Sequence, residues 1–339
     1  MPKLSVITLV YNQAPFLEER IRSIIKQTFQ DFEWIIIDDC STDNSMEIIR
    51  KKLAGVPQVK CLIVHKQNHG VHPSFNEALS YCTAKYVHHA AGDDSCDPEL
   101  FAKSVTFMET NDDLGFIHTA YRIIDENNRV NRVIYPMKDI SISLSYDFFK
   151  KLALDGNFVC SPSVTFNRER YQSIGGMSND WVYASDYELW MRLSMRWNVG
   201  YIAEPLVSWR RHPQALSRRV QVHPEGASET YRVLSKVFST SELPTKIKDA
   251  GKLYRLAVRR ISTSKMIALS LWWLFYMRKP SMSFEMLKEA HRYDPGVWTS
   301  PLTYARILMT IIPLALKRLI RGRGGDLDSL PKEAKAPIR

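Results

Sequence analysis

Four apolar runs of strand length, each closed by polar residues and followed by a helix-spaced segment, constrain this chain more than any other feature. Leu4–Val10 gives way to Tyr11-Asn12-Gln13-Ala14-Pro15, and Trp34-Ile35-Ile36-Ile37 ends in Asp38-Asp39. Val59–Val64 precedes Asn68-His69-Gly70, and Tyr86–Ala91 ends in Gly92-Asp93-Asp94. Between these runs Leu17, Ile21, Ile24 and Ile25, then Met46, Ile49 and Leu53, then Phe75, Leu79 and Cys82 recur at helical spacing. Strands that are apolar throughout must be covered on both faces. Helices alternating with them do this, so the pattern predicts an α/β fold with a mainly parallel sheet. In such a sheet the residues just past the strand ends line the crevice where nucleotides bind.

The chain has neither GxGxxG nor GxxxxGK[ST]. Its phosphate site is therefore not a Gly-rich cradle, and a metal ion is the expected substitute. Asp93 and Asp94 supply the chemistry. Two adjacent carboxylates after a buried strand repel each other, and a hard divalent ion with oxygen ligands, Mg2+ or Mn2+, relieves this while bridging a diphosphate. Asp97-Pro98 reads as the N-cap and first residue of the next helix. Ser185-x-x-Glu188 reads as a capping box that places Asp186 at a first helical position, where a carboxylate is stabilised in its charged form.

From Gly115 to Arg211 the strand and helix signals mix without a break in composition, so residues 1–217 read as one domain. Short strands are expected at 116–121, 130–135, 163–166 and 201–203, and helices at 147–154 and 187–197. Beyond residue 217 the strand signal stops. A helical C-terminal region over 218–321 and a loose tail over 322–339 are expected. Residues 1–217 carry 23 Lys/Arg against 26 Asp/Glu, whereas residues 218–339 carry 23 against 10. Such a basic region suits an anionic surface, membrane or nucleic acid. No recognised nucleic-acid module accompanies it. The apolar stretches 266–277 and 307–316 fall short of the about 20 residues a bilayer span needs. Residues 307–323, with flanking Lys317, Arg318, Arg321 and Arg323 and an interruption at Pro313, read either as an interfacial segment or as a helix that packs its apolar face on the first domain. The five cysteines are odd in number and lack a CxxC pair, and Met1-Pro2-Lys3 opens no secretory signal. Both features point to a reducing, cytoplasmic setting, and the basic C-terminal segment to peripheral attachment at the cytoplasmic face of the membrane.

Ser5-Val6-Ile7-Thr8 with Tyr11-Asn12, then Ile36-Ile37-Asp38-Asp39-Cys40-Ser41-Thr42-Asp43, resembles the family-2 glycosyltransferases. Asn68-His69-Gly70 with Asn76, Gly92-Asp93-Asp94, Ser185-Asp186-Tyr187-Glu188-Leu189-Trp190 and Trp209-Arg210-Arg211-His212 with Ser217 follow in the family's order. The resemblance spans about residues 3–217. It implies a GT-A (Rossmann-like) fold and an inverting transfer from a nucleotide-sugar, with UDP the expected nucleotide and dTDP second. It implies that Asp39, with Asp38 beside it, meets the base, and that Thr8 and Tyr11 flank base and ribose. Asn68, Gly70 and Asn76 would pass the diphosphate and sugar, Asp93 the ribose, Asp94 and His212 the metal, and Asp186 would act as base. Related enzymes build cell-surface polysaccharide on lipid-linked acceptors, which implies a hydroxyl acceptor of that kind. Three positions depart from the pattern: Ala91 where an Asp is common, Phe75 where an Arg is common, and Ser185 where an acid is usual. His69 or His72 is then the available substitute for the missing cation.

Two other functions use parts of this pattern. A nucleotidyltransferase would show a Gly-rich basic loop near the N-terminus, and residues 10–15 contain neither Gly nor Lys. A non-catalytic nucleotide-sugar-binding protein would have no need of both Asp94 and Asp186.

Overall fold

β1 (Leu4–Val10) is buried at every position, with Ser5 and Thr8 the two polar residues among its apolar ones. It pairs in parallel with β2 (Phe32–Asp38) on one side and β4 (Tyr86–His89) on the other. β3 (Val59–Val64) extends this parallel half beyond β2. The computed structural model describes residues 1–215, 224–243, 247–275, 280–299 and 303–304. The strands β5 (Ser95–Cys96), β6 (Leu114–Ile124), β7 (Val130–Ile134), β8 (Ser141–Ser143), β9 (Thr165–Asn167) and β10 (Asn198–Arg210) complete one sheet. Its order is β3-β2-β1-β4-β9-β6-β10-β5. β9 runs antiparallel to both β4 and β6, while β6 and β10 are parallel again. The result is the expected mixed, mainly parallel sheet with flanking helices.

α1 (Ala14–Ile25), α2 (Ser45–Leu53), α3 (Val71–Ser80) and α4 (Leu100–Glu109) follow or precede the parallel strands. Leu17, Ile21 and Ile24 pack with Trp34, Ile36, Phe101 and Ile117 in one core. α5 (Ser145–Asp155), α6 (Arg168–Ser173) and α7 (Ser185–Arg196) belong to the mixed half of the sequence.

Three expectations need correction. The strand expected at 201–203 is the centre of the much longer β10. Register shifts flank Pro205, and such a bulge interrupts the alternation that marks a strand in sequence. Asp97 is not a helix N-cap. α4 begins at Leu100 with Glu99 at the cap, and the Asp97 carboxylate instead accepts a hydrogen bond from Arg122 Nη1 at 2.9 Å. The capping box at Ser185 does not form either: Ala184 is the N-cap, His72 engages the Ser185 hydroxyl, and Glu188 pairs with Arg192 one turn on in the same helix.

The chain divides into two compact units, Met1–Leu152 with Asn157–Arg218 and Glu242–Ile247, and Ala153–Gly156 with Arg219–Ser241 and Lys248–Arg339. Among the described residues the second unit is helical, with helices Pro224–Phe238, Ala250–Ile261, Ile267–Phe275 and Pro280–Tyr293. A π-helical turn, Ser262–Met266, joins the second to the third. Ser270 and Ser283 hydrogen-bond at 2.9 Å, and Arg259 pairs with Asp294. No described helix is long and apolar enough to cross a membrane. The boundary expected after residue 217, the basic segment 307–323 and the tail 322–339 lie outside the described residues.

Candidate active site

Because β1, β2 and β4 are parallel neighbours, the loops that leave them emerge at one end of the sheet. The first two are tied together there. Asn12, in a left-handed conformation at φ 53°, donates its amide to Ser41 Oγ at 3.0 Å and accepts from the Thr42 amide at 2.8 Å. Asp43 accepts from the amide of Ala14 at 3.0 Å. Tyr11 stands out of this junction, 49% exposed.

Asp39 is buried and richly held. Its Oδ1 lies 2.7 Å from His65 Nδ1 and 2.9 Å from the His69 amide, and its Oδ2 accepts from the Gly70 amide at 2.8 Å. Burial raises this carboxyl, but the hydrogen bonds from His65, His69 and Gly70 outweigh it and hold the group below the usual carboxylate range. The Gly70 amide reaches Oδ2 from a residue at φ 86°, which favours glycine. Asp38 is spent differently: it is buried, and its Oδ2 accepts from the Ser41 amide at 3.1 Å, so it shapes the turn after β2.

Two expected contacts are corrected. Thr8 is 1% exposed, and its hydroxyl accepts the Trp34 indole N–H at 2.9 Å, so its side chain faces the core and cannot flank a base. Asn76 is also committed. Its Nδ2 donates to the Met177 carbonyl at 2.8 Å and its Oδ1 accepts the Met177 amide at 3.3 Å, which fixes the loop between α6 and α7. Asn68 is exposed.

The Asp93–Asp94 turn is built from beneath by two buried arginines. Arg20 Nε donates to the Ala91 carbonyl at 2.7 Å. Arg210, 1% exposed, donates from Nε to the Asp93 carbonyl at 2.8 Å and from Nη2 to Glu19 at 2.8 Å, and its backbone amide donates to Asp94 Oδ1 at 2.8 Å. Its Nη1 holds the Asp125 carbonyl at 3.0 Å and Asn128. A Cβ at Gly92 would stand 3.1 Å from the Leu9 carbonyl and 2.1 Å from Gln13 Oε1, so a side chain there would displace Gln13 and press on β1. Neither arginine's scaffolding role is read from a motif: Arg210 stands in the Trp209-Arg210-Arg211-His212 block and Arg20 in none. A signal for Arg20 existed: it falls on the inward stripe of α1 with Leu17, Ile21 and Ile24.

Asp94 is 2% exposed, and its carboxyl is pushed up to about 8 by burial and by the charge of Asp93, against the opposing pull of Arg20 and Arg210. His212 Nε2 sits 3.0 Å from Asp93 Oδ2, and Nδ1 faces Gln214 at 3.3 Å. The hydrogen bond with Asp93 raises the His212 pKa. Both His212 nitrogens are thus engaged, and the ring closes over Asp93, with Phe16 4.6 Å away. The residues fit a hard divalent ion. Asp94 has an oxygen that no described hydrogen bond occupies, and its buried carboxyl resists ionising until a cation arrives. Mg2+ and Mn2+ are commonly held by one or two carboxylates, with substrate phosphates completing the shell.

Asp186 is the second residue of α7, not the first, because Ala184 stands at the N-cap. Its Oδ2 accepts from Asn157 Nδ2 at 2.9 Å and Ser161 Oγ at 2.9 Å, and Oδ1 accepts from the Tyr187 amide at 2.7 Å. Burial nonetheless raises its pKa above the ordinary aspartate range, which overturns the expectation of a carboxylate merely stabilised by the helix end. Glu188 is clamped to Arg192 at 2.7 Å, and Ser185 Oγ lies 2.6 Å from His72 Nε2. The buried Cys160 thiol is raised first by burial and then by the charges of Asp94 and Asp186. Phe75 is buried with its ring against His89, and it brings no cation to the site.

Arg210 gives a direct test of this scaffold. Arg210→Lys leaves the amide of residue 210 on Asp94 but removes the fork that spans Asp93, Asp125 and Glu19. Expected outcomes are a loss of about 1–3 kcal/mol in denaturant unfolding and a weaker metal requirement curve, with half-activation at several-fold higher Mg2+ or Mn2+. Unchanged stability would show that the fork is replaceable by solvent.

The model of Glycosyl transferase family 2 matches residues 5–174. EpsE of Bacillus subtilis (strain 168) is 28% identical over 222 residues, covering 64% of this chain and 76% of EpsE. An uncharacterized glycosyltransferase of Haemophilus influenzae is 26% identical over 282 residues, 81% of this chain and 86% of its own length. Among solved structures, Staphylococcus aureus TarS 1-349 in complex with UDP-GlcNAc superposes with a TM-score of 0.58 at 16% identity, over 86% of this chain and 91% of that one. The mannosyltransferase PcManGT from Pyrobaculum calidifontis, in complex with GDP-Man and Mn2+, gives a TM-score of 0.58 at 18% identity, over 95% of this chain and 82% of that one. These likenesses concern the fold.

Proposed function

The chain belongs to glycosyl transferase family 2, a glycosyltransferase of GT-A fold, and on that premise we propose an inverting, metal-assisted transfer of a sugar from a UDP-sugar to a hydroxyl acceptor. The observation that carries this reading is a pair of carboxylates in contrasting surroundings, Asp94 buried and Asp186 half-buried. Asp94 sits beside a second acid, whereas Asp186 is held by neutral donors from Asn157 and Ser161. Carboxylates set apart in this way suit different roles in one reaction.

Asp39 presents a buried carboxylate to the base, and Tyr11 stands exposed beside that loop. Asp94, with Asp93 next to it, would hold the divalent ion. When bound, such an ion neutralises the diphosphate as it departs. His212, drawn toward protonation by Asp93, adds positive charge at the same place. Asp186 accepts the acceptor's proton as the new bond forms from the acceptor oxygen to the anomeric carbon and the bond to the diphosphate breaks. One base and one leaving group on opposite faces give a single displacement and an inverted anomer. TarS crystallised with UDP-GlcNAc and PcManGT with GDP-Man and Mn2+ lend support to a nucleotide-sugar donor and a divalent ion. The basic C-terminal third suits an acceptor at an anionic membrane surface, such as a lipid-linked glycan on the cytoplasmic face.

The test is a panel of UDP-, dTDP- and GDP-sugars, with and without excess EDTA, scored for nucleotide release and for product anomer by NMR. Release from UDP-sugars that stops in EDTA, with inversion, is expected. Retention of configuration, or full activity in EDTA, would sink the mechanism.

A further inference from the structure

Asp39 does not stand alone at its strand end. His65, which directly follows β3 and is 8% exposed, puts Nδ1 2.7 Å from Asp39 Oδ1 and Nε2 3.0 Å from Glu77 Oε2. Glu77 lies on α3, and its side chain is 36% exposed. The ring of His69 stacks on His65 with centroids 4.3 Å apart. Asp39, His65 and His69 could also be grouped as metal ligands, their nearest ligand atoms lying within 4.8 Å of one another. The 2.7 Å separation between Asp39 and His65 argues otherwise. Two ligand atoms around one tetrahedral ion at about 2.0–2.1 Å stand about 3.3 Å apart. The geometry is that of a hydrogen bond, with Glu77 fixing the far side of the imidazole.

An ionised carboxylate offers about four lone-pair positions, two on each oxygen. In Asp39, Oδ1 is filled by His65 Nδ1–H and the His69 amide, and Oδ2 takes the Gly70 amide. One acceptor position is left, on Oδ2. Resting on the reading of Asp39 as the base-contacting residue, we propose that the Glu77–His65 couple makes it a single-acceptor reader, which selects uracil or thymine nucleotides over guanine nucleotides. Uracil and thymine offer one N–H, at N3, between two carbonyls. Guanine offers adjacent donors at N1 and N2 and is best met by both oxygens of a free carboxylate. With Oδ1 occupied, one guanine donor is stranded against a filled acceptor, and a buried unpaired donor is costly. Cytosine and adenine have an unprotonated ring nitrogen in place of the N3–H, so they offer no ring N–H to the open position. His65 and Glu77 are therefore positioning residues that decide specificity by what they deny.

The experiment measures UDP and GDP dissociation constants by calorimetry, with Mg2+ or Mn2+ present, on the full chain and four variants. The unsubstituted protein should bind UDP at least about tenfold tighter than GDP. His65→Ala should lower that ratio by about tenfold. His65→Gln, which keeps an N–H to offer, should retain most of it. Glu77→Ala, at a part-exposed position that folding tolerates, should lower it by a few-fold. A ratio unchanged in both His65→Ala and Glu77→Ala, or UDP and GDP weakened equally, would overturn the proposal, since a merely structural role moves both ligands together. GDP bound more tightly than UDP by the unsubstituted protein would overturn it as well. Asp39→Asn separates the premise: if UDP affinity survives that change, Asp39 does not contact the base, whatever His65 does.

Discussion

Asp186→Asn should cut turnover roughly 10²–10⁴-fold while leaving nucleotide affinity nearly unchanged. The substitution keeps size and one acceptor oxygen, so Asn157 or Ser161 retains a partner. What is lost is the ability to take a proton. Rates of transfer and dissociation constants for UDP, measured on the same preparation, separate the two effects. An equal loss in both would make Asp186 a structural residue. The pH profile adds a second check. Burial raises the Asp186 pKa, with Ser161, the Tyr187 amide and Asn157 pulling the other way. A base must be deprotonated to work, so a raised pKa moves the acidic limb of the kcat profile upward, above the roughly 3.9 of an ordinary aspartate. The limb should vanish in Asp186→Asn, whose residual rate should be flat in that range.

The parallel half of the sheet and its acid-tipped strands are legible in sequence because local pattern alone determines them. Ile35, Ile36 and Ile37 are apolar on successive positions, so they must lie in a strand covered on both sides, and Asp38-Asp39 must then fall at its end. The roles of side chains decided by partners far along the chain are not legible in this way. Thr8 meets Trp34, and Asn76 meets Met177, 101 positions away, so their motif positions give no hint that their polar atoms are already used. Ser185 and Glu188 show the same conflict. Local preference favours a capping box, yet Ser185 pairs across the fold with His72, and Glu188 is taken by Arg192 one turn on in its own helix. Arg210 was hidden for a different reason. A strand-end arginine reads as solvated, and only the convergence of the Asp93, Asp125 and Glu19 acceptors makes its burial affordable.

Asp94→Asn should abolish metal-dependent transfer, a loss of roughly 10²–10³-fold at least, since it removes the charge that would hold the divalent ion at the leaving diphosphate. Stability should move the opposite way. In the protein without metal, burial and the neighbouring Asp93 raise the Asp94 carboxyl to about 8, despite Arg20 and Arg210. The unfolded chain has this group near 3.9. A carboxyl raised on folding contributes its full stability below the unfolded value. That contribution is lost progressively as pH rises from about 4 toward about 8, because the unfolded state sheds its proton first. Asparagine is never ionised and escapes this loss. Thermal melts without metal should therefore show Asp94→Asn gaining on the unsubstituted protein across that window, and level with it near pH 4. Mg2+ or Mn2+ should raise the melting temperature of the unsubstituted protein and leave the variant where it was, because an ion that binds only the folded state stabilises it. The ion must displace a proton from Asp94 to bind, so its effect should strengthen as pH rises toward 8. If metal shifts both proteins equally, the ion sits elsewhere. If the variant instead melts lower at every pH, the Asp94 carboxylate is a structural anchor for the Arg210 amide, and its burial serves the loop and not the leaving group.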